Sequence, residues 1–512
     1  MTLTLFYYKD NNQIYLYSPY ESVKNLIAVR QDDAIIKNTL ENGGTILVYL
    51  AKTKIYNWSF LKEFEQIISI LPDVKDEKAL LLIEKIRVYL GASKTARGKQ
   101  SSLLVNLLKK GIVLHHGSIP LKGRAILEEF IKSGHAKICF ATSTLLKGIN
   151  MPFDIVYIDN FSKLTPLDFK NLIGRAGRTD STNYFNIGTI ICSQKNVKKI
   201  IENYNKSCLI EGKNSLDNPI ENYEEDDKDI VEAIQTNEFV DLLNIPKIQF
   251  ERLKSQVELK DVTKTLIDLL MPNGYLLSGD DYRETKAEIR NKIKDCFKQL
   301  YVFSLRNKNV SDAEEAVLST SLQILLWKIQ HKSFREIVQI RYKYITQSKK
   351  QKELKLKLES GEFSEEQFNT QIKQLKAIYT QGAFSIPNKH TGKFPLFDYK
   401  TSVRECDYDM VVYDTYDYLD KVISLSLVDP ICAALEVYYL KEQDLRARAL
   451  QNYIRFATNS QMEIMMLRYG FDFEDHEWLK KCISNISEQK IEFNENIATL
   501  TPEQYKLIER YL

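Results

Sequence analysis

The chain has 512 residues, 44% of them hydrophobic and 27% charged, with 71 basic against 68 acidic side chains. At about 100–200 residues per domain it has room for two to four domains, each able to bury a core. Nineteen glycines and 12 prolines exclude a collagenous or linker-dominated protein, and the hydrophobic share excludes wholesale disorder.

No apolar run in the sequence approaches the roughly 18–20 residues that span a bilayer. The opening MTLTLFYYKDNNQ carries no basic leader before an apolar stretch. A soluble, cytoplasmic protein with no membrane partner is the expectation. The 7 cysteines form no C-x-x-C pair, and the 6 histidines are scattered apart from His115–His116. Free thiols in a reducing compartment, and no metal site, follow from that pattern. The net charge of +3 hides an asymmetry, since residues 91–180 hold 14 Lys and Arg against 6 Asp and Glu. Such a segment suits an anionic ligand, phosphate being the commonest.

Along the chain, TILVYL (45–50) is a compact apolar run after the turn Asn42-Gly43-Gly44. A helical stretch follows from about Trp58 and breaks near Leu71-Pro72. GIVLHH (111–116), KICFAT (137–142), FDIVYID (153–159) and NIGTIICS (186–193) are further β-type runs, separated by helical patterns at 122–134 and 166–178. This alternation predicts an α/β domain with a parallel sheet covered by helices on both faces. The polar stretch 218–229 reads as a boundary. Beyond it, apolar residues recur every three and four positions over 249–271 and 318–345, the mark of long helices. A charged helical hairpin is predicted over 349–378, turning at Ser360-Gly361 and capped by Ser364.

Three motifs stand in order at strand ends. VLHHGSIPLKGR (113–124) runs from a strand through His116 and Gly117 toward a helix, whose first N–H groups suit phosphate. FATSTLLKGINMP (140–152) puts hydroxyls at Thr142, Ser143 and Thr144 after a buried strand, then turns at Gly148-Ile149-Asn150. NLIGRAGRTD (171–180) spaces Arg175 and Arg178 so that they share one face if the segment is helical. Guanidinium groups stay charged and make forked bonds to phosphate.

The ordered set HHGSIP, ATSTLLKGINMP, NLIGRAGR resembles the second RecA-like domain of superfamily 2 helicases, in the superkiller (Ski)-like branch, with TILVYLAK (45–52) as its first strand. The segments YDMVVYDTYDYLDKVISLSL (408–427) and EIMMLRYGFDFEDHEWL (463–479) are similar to large bacterial phage-defence helicases, the Hachiman type among them. The resemblance implies that Arg175 and Arg178 are the catalytic arginines reaching the ATP phosphates. It places Gly148, Asn150 and Asn171 near the nucleotide, and His116, Gly117 and Thr142 on the nucleic-acid backbone. Asn171 stands where the branch usually has Gln, and Ser143 where an acid is frequent, so those two roles depart from the pattern.

A phosphate loop, G-x-x-x-x-G-K-[S/T], is missing. GASKTARGKQSS (91–102) spaces its glycines wrongly, with Gln100 where the magnesium hydroxyl belongs. Asp76-Glu77 lies in a loop rather than behind a buried strand, and is not a DExH acid. The expectation is therefore the C-terminal portion of an ATP-dependent helicase or translocase, in which ATP and Mg2+ are bound mainly by a first RecA-like domain on a separate polypeptide. Single-stranded or partly duplex DNA or RNA is its expected partner, and the isolated chain is expected to be inactive as an ATPase. The alternative is a catalytically inactive truncated helicase that binds nucleic acid or protein. The domains expected are a connector at 1–40, the helicase C-terminal domain at 41–195, a linker at 196–230 and a helical accessory region at 231–512, in which a winged helix is allowed.

Overall fold

The computed structural model describes the chain except residues 1, 11–12, 21–26, 32–33, 96–99, 147–150, 152, 162–163, 178–185, 208–215, 217, 226 and 241–242. Its residues form two compact units. The first gathers Met1–Asn214, Phe334–Thr380 and Pro395–Tyr416; the second gathers Ser215–Ser333, Gln381–Phe394 and Asp417–Leu512.

The first unit is built on an eight-stranded sheet in the order β3-β2-β1-β8-β7-β4-β6-β5. The strands are β1 (Thr2–Asp10), β2 (Gln13–Tyr17), β3 (Ile27–Gln31), β4 (Ile46–Tyr49), β5 (Ile112–His115), β6 (Ile138–Ala141), β7 (Ile155–Ile158) and β8 (Asn186–Ser193). From β1 through to β5 all neighbours run parallel, while β2 and β3 add an antiparallel margin. Every residue of β4, β5, β6 and β7 is buried, as nearly continuous apolar strands require when helices cover both faces. The α/β expectation is met. The sheet also takes in β1, β2 and β3, from the stretch read as a connector, with β1 pairing β8 over eight positions.

Between β4 and β5 the chain forms three short helices, Lys52–Tyr56, Ser59–Glu63 and Glu65–Ser69, then the helix Glu77–Leu90 and a further short one, Leu103–Leu108. Asp76 caps the helix Glu77–Leu90 by accepting the Ala79 N–H at 2.9 Å, so the Asp76-Glu77 pair serves a helix start. Gly91 ends it in the left-handed region, at φ 71°. The strap formed by 334–380 and 395–416 belongs to this same unit. It contains the helix Phe334–Ile345 and the charged hairpin, whose helices Ser348–Glu359 and Glu365–Gln374 turn at Gly361 (φ 75°) and start again at a Ser364 capping box. The hairpin matches its sequence prediction, capping residue included.

The second unit is helical. Val428–Glu442 packs against Lys247–Lys254, Ala287–Ser304 and Leu445–Phe456. The apolar pattern over 249–271 resolves into two helices, broken by Ser255–Glu258, and not one. Its described strands are a hairpin, β9 (Ile483–Ile486) with β10 (Ile491–Phe493), packed with Met466, Leu479 and Ile508. One helical run, Tyr408–Glu442, is long and apolar enough to cross a membrane by length and composition, contrary to the sequence scan. Its most apolar stretch is 67% buried inside the protein, which is the condition of a core helix.

Candidate functional site

Strands β5 and β6 deliver the first two motifs to one edge of the sheet, at the C-terminal ends of the strands. His115 and Ala141 are in register, and the Thr142 N–H donates to the His115 carbonyl at 3.2 Å. Successive strand residues point to opposite faces, so the two histidines do different work. His115 is buried, with Nε2 3.1 Å from Glu128 Oε1 on the helix Leu121–Lys132 and Nδ1 3.2 Å from Thr144 Oγ1. It thus joins the first motif's helix to the second motif's hydroxyl run. The same bond holds the Glu128 carboxyl below the usual carboxylate range.

His116 is 0% exposed. Its ring stands edge-on to Tyr413 at 4.4 Å and lies 5.6 Å from Tyr56. Gly117 follows, half-buried, where an added Cβ would meet Thr144 Cγ2 at 3.3 Å. Thr142 is 8% exposed, while Ser143 lies open to solvent. Hydroxyls and backbone N–H groups at a strand end suit the sugar–phosphate backbone of a nucleic acid, which is read without reference to base. The sequence reading missed a cation here. Lys52, just beyond β4, donates from Nζ to Ser118 Oγ at 2.9 Å and lies over the Tyr56 ring at 4.8 Å. Its place at the end of the strand TILVYL was the available signal. Gly148 and Asn150 lie outside the described residues.

The third motif arrives at the opposite edge. The helix Pro166–Ile173 starts where Thr165 Oγ1 accepts the Asp168 N–H at 3.1 Å, with Pro166 in its first turn, where a missing N–H costs nothing. Phe169 and Leu172 bury its inner face and Asn171 is exposed. The helical pattern read over 166–178 is shorter than expected. The helix ends at Ile173, Arg175 follows in a turn, and Arg178 lies outside the described residues. The chain leaves the helix in order to pair with the approach to β7. The Phe153 N–H donates to the Arg175 carbonyl at 3.0 Å and the Gly177 N–H to the Phe153 carbonyl at 2.8 Å.

Gly177 sits at φ 63°, and a Cβ there would fall 2.4 Å from the Gly188 nitrogen on β8. Gly177 therefore allows backbone to cross backbone. Arg175 is 4% exposed, and a guanidinium stays charged and fork-shaped even when buried. Phe153 and the level of Thr142 are six strand positions apart through the β4 register, or about 20 Å at ~3.3 Å per residue. Arg175 and Asn171 thus belong to one end of the sheet, and His116, Gly117 and Thr142 to the other. The second motif leaves β6 beside His115, and Phe153, the residue after it, is paired with Ala176 at the other end. Among the described residues, no three His, Cys, Asp or Glu side chains are placed to hold a metal ion.

Part of the chain is similar to curated DNA helicases. It is 25% identical over 178 residues to the ATP-dependent DNA helicase Hel308 of Thermoplasma volcanium, covering 33% of this chain and 24% of that protein. It is 34% identical over 126 residues to the probable ATP-dependent DNA helicase HFM1 of Mus musculus, covering 23% of this chain and 8% of the relative. An uncharacterized helicase of Caenorhabditis elegans is 38% identical over 88 residues, covering 17% and 5%. The matched segments span about a quarter or less of these relatives' own length. No family model matches the chain.

Proposed function

We propose that this chain supplies the second RecA-like half of an ATP-dependent motor that translocates on nucleic acid, in the superkiller-like branch of superfamily 2. The observation that carries the reading is the placement of the three motifs at two opposite edges of one parallel sheet. A motor needs such a division, with a phosphate-facing edge that senses the nucleotide and a separate edge that grips a strand. On this reading Arg175 and Arg178, helped by Gly148, Asn150 and Asn171, face the ATP phosphates. Forked guanidinium groups stabilise charge there as a phosphoryl group transfers. Gly117 and Thr142, with the strand end carrying His116, hold the phosphate backbone of a single-stranded or partly duplex DNA or RNA. ATP and Mg2+ are held mainly by a phosphate-loop domain, joined to this one covalently or carried by a separate polypeptide. The relatives named as DNA helicases favour DNA.

The test uses the 512-residue chain, a fluorescent single-stranded oligonucleotide and ATP. Binding that weakens with salt, with no ATP turnover, is the expected result. Nucleic-acid-stimulated ATP hydrolysis by this chain, abolished by Arg178→Ala, would overturn the division of labour proposed.

A further inference from the structure

Among the described residues, the strap of the first unit reaches the end of β5 through Tyr413, which stands against His116. The helix Tyr408–Asp417 is fixed by buried and part-buried polar contacts made at its start. Asp407 Oδ2 accepts from Trp58 Nε1 at 2.5 Å, the Tyr408 hydroxyl donates to the Leu90 carbonyl at 2.7 Å, and Asp409 Oδ2 accepts the Leu104 N–H at 2.9 Å. Arg341 of the helix Phe334–Ile345 pairs with Asp414 at 2.6 Å and donates to Thr415 Oγ1 at 2.8 Å, both buried. Gly91 leaves no slack, since an added Cβ would meet Gln339 Nε2 at 3.0 Å and the Tyr408 hydroxyl at 3.1 Å. A helix held this way presents Tyr413 at a set height.

Tyr413 is fully buried, edge-on to His116 at 4.4 Å and 5.6 Å from Tyr56. Beyond that pair of rings lie the groups that face a ligand. Tyr56 carries the Lys52 ammonium on its ring, Lys52 bonds Ser118, and His116 precedes Gly117 directly in the chain. Three aromatic rings therefore join an accessory helix to the cation and backbone of the strand-binding edge. Packed interiors transmit displacement because they are dense.

We infer that Tyr413 is a positioning residue for nucleic-acid binding, acting through His116 and Tyr56 on Gly117, Ser118 and Lys52. Through it the accessory helix sets how tightly the helicase-like sheet holds a strand. This inference rests on the nucleic-acid reading above.

The test measures fluorescence anisotropy of a labelled oligodeoxythymidine with the full chain, beside melting by circular dichroism. Tyr413→Leu is expected to weaken binding about 3- to 10-fold, the range that loss of an aromatic pair allows, while Tyr413→Phe keeps the parent affinity. A purely structural tyrosine would lower the melting temperature and leave affinity alone, so the deciding readout is coupling. In a Lys52→Ala background, Tyr413→Leu should cost under half its single-variant fold-change. If Tyr413→Leu does not fold, Tyr413→Met, which keeps an unbranched apolar filler, carries the same comparison. Parent-like affinity in a folded variant, or additive effects with Lys52→Ala, overturns the inference and leaves the nucleic-acid reading standing. Failure of the parent to bind at low salt overturns both.

Discussion

Asp409 shows how one buried carboxyl can set a pH response. Burial, with Asp407 beside it, pushes its pKa from 3.8 up to about 7. Between pH ~4 and ~7 the unfolded chain has released this proton while the folded chain still holds it, so stability falls as pH rises through that window and levels off above it. A single such group changes stability by at most about 1.4 kcal/mol per pH unit. Asp409→Asn keeps an oxygen for the Leu104 N–H and removes the titration. Unfolding midpoints in urea at pH 5 and pH 7.5 should differ less in the variant than in the parent. Asp407 is also raised by burial, which leaves some slope behind. An equal pH dependence in both proteins would remove Asp409 as its source. Nothing local in the sequence marks Asp409 as buried, because the backbone it caps lies 305 residues earlier. Asp76 and Ser364, by contrast, act on N–H groups three residues ahead, and such short-range chemistry is what a sequence displays.

Among elements, β4 to β8 were legible because apolar β-branched runs leave few other solutions, and so were the helical hairpin and its turn, whereas β1, β2 and β3 fall in the stretch 1–40 read as a connector. The end of the helix Pro166–Ile173 was not. The Arg175–Arg178 spacing fits a helix, yet pairing with Phe153 outweighs the 3.6-residue period once Gly177 turns the chain. A signal did exist in the partner strand. Gly188 interrupts NIGTIICS, and a lone glycine in a strand marks a close backbone approach. Ala176 lies against it, with its carbonyl oxygen 2.7 Å from where a Gly188 Cβ would sit. Gly177→Ala adds both left-handed strain and a clash with β8. It should destabilise the first unit by about 2 kcal/mol or more, read as a shifted midpoint in chemical denaturation. An unchanged midpoint would show that the crossing leaves room for a methyl group.

Over the whole molecule, the near-neutral balance of 71 basic and 68 acidic groups conceals the basic stretch 91–180. If that stretch meets a phosphate backbone, log affinity should fall linearly with log salt. Each neutralised phosphate of a single strand contributes a slope of about −0.7, so a slope steeper than about −1.4 is expected for two or more contacts. A flat response in a titration from low to moderate salt would count against backbone binding. Composition could not show that the first unit is assembled from three separate stretches of chain. The partners of Trp58, Leu90 and Leu104 come from Asp407, Tyr408 and Asp409, 349, 318 and 305 residues away, and no window of sequence spans such distances.

That discontinuity has a consequence for biosynthesis. A ribosome finishes all eight strands of the first unit's sheet by Ser193, yet the segment that covers Trp58, Leu90 and His116 leaves it only after Tyr416. At roughly 5–20 residues per second, the nascent sheet waits on the order of 10–40 s with that face uncovered. Over this interval the newborn chain is at its most exposed to chaperones and to self-association, and a message truncated between these two points would yield a sheet that never receives its cover.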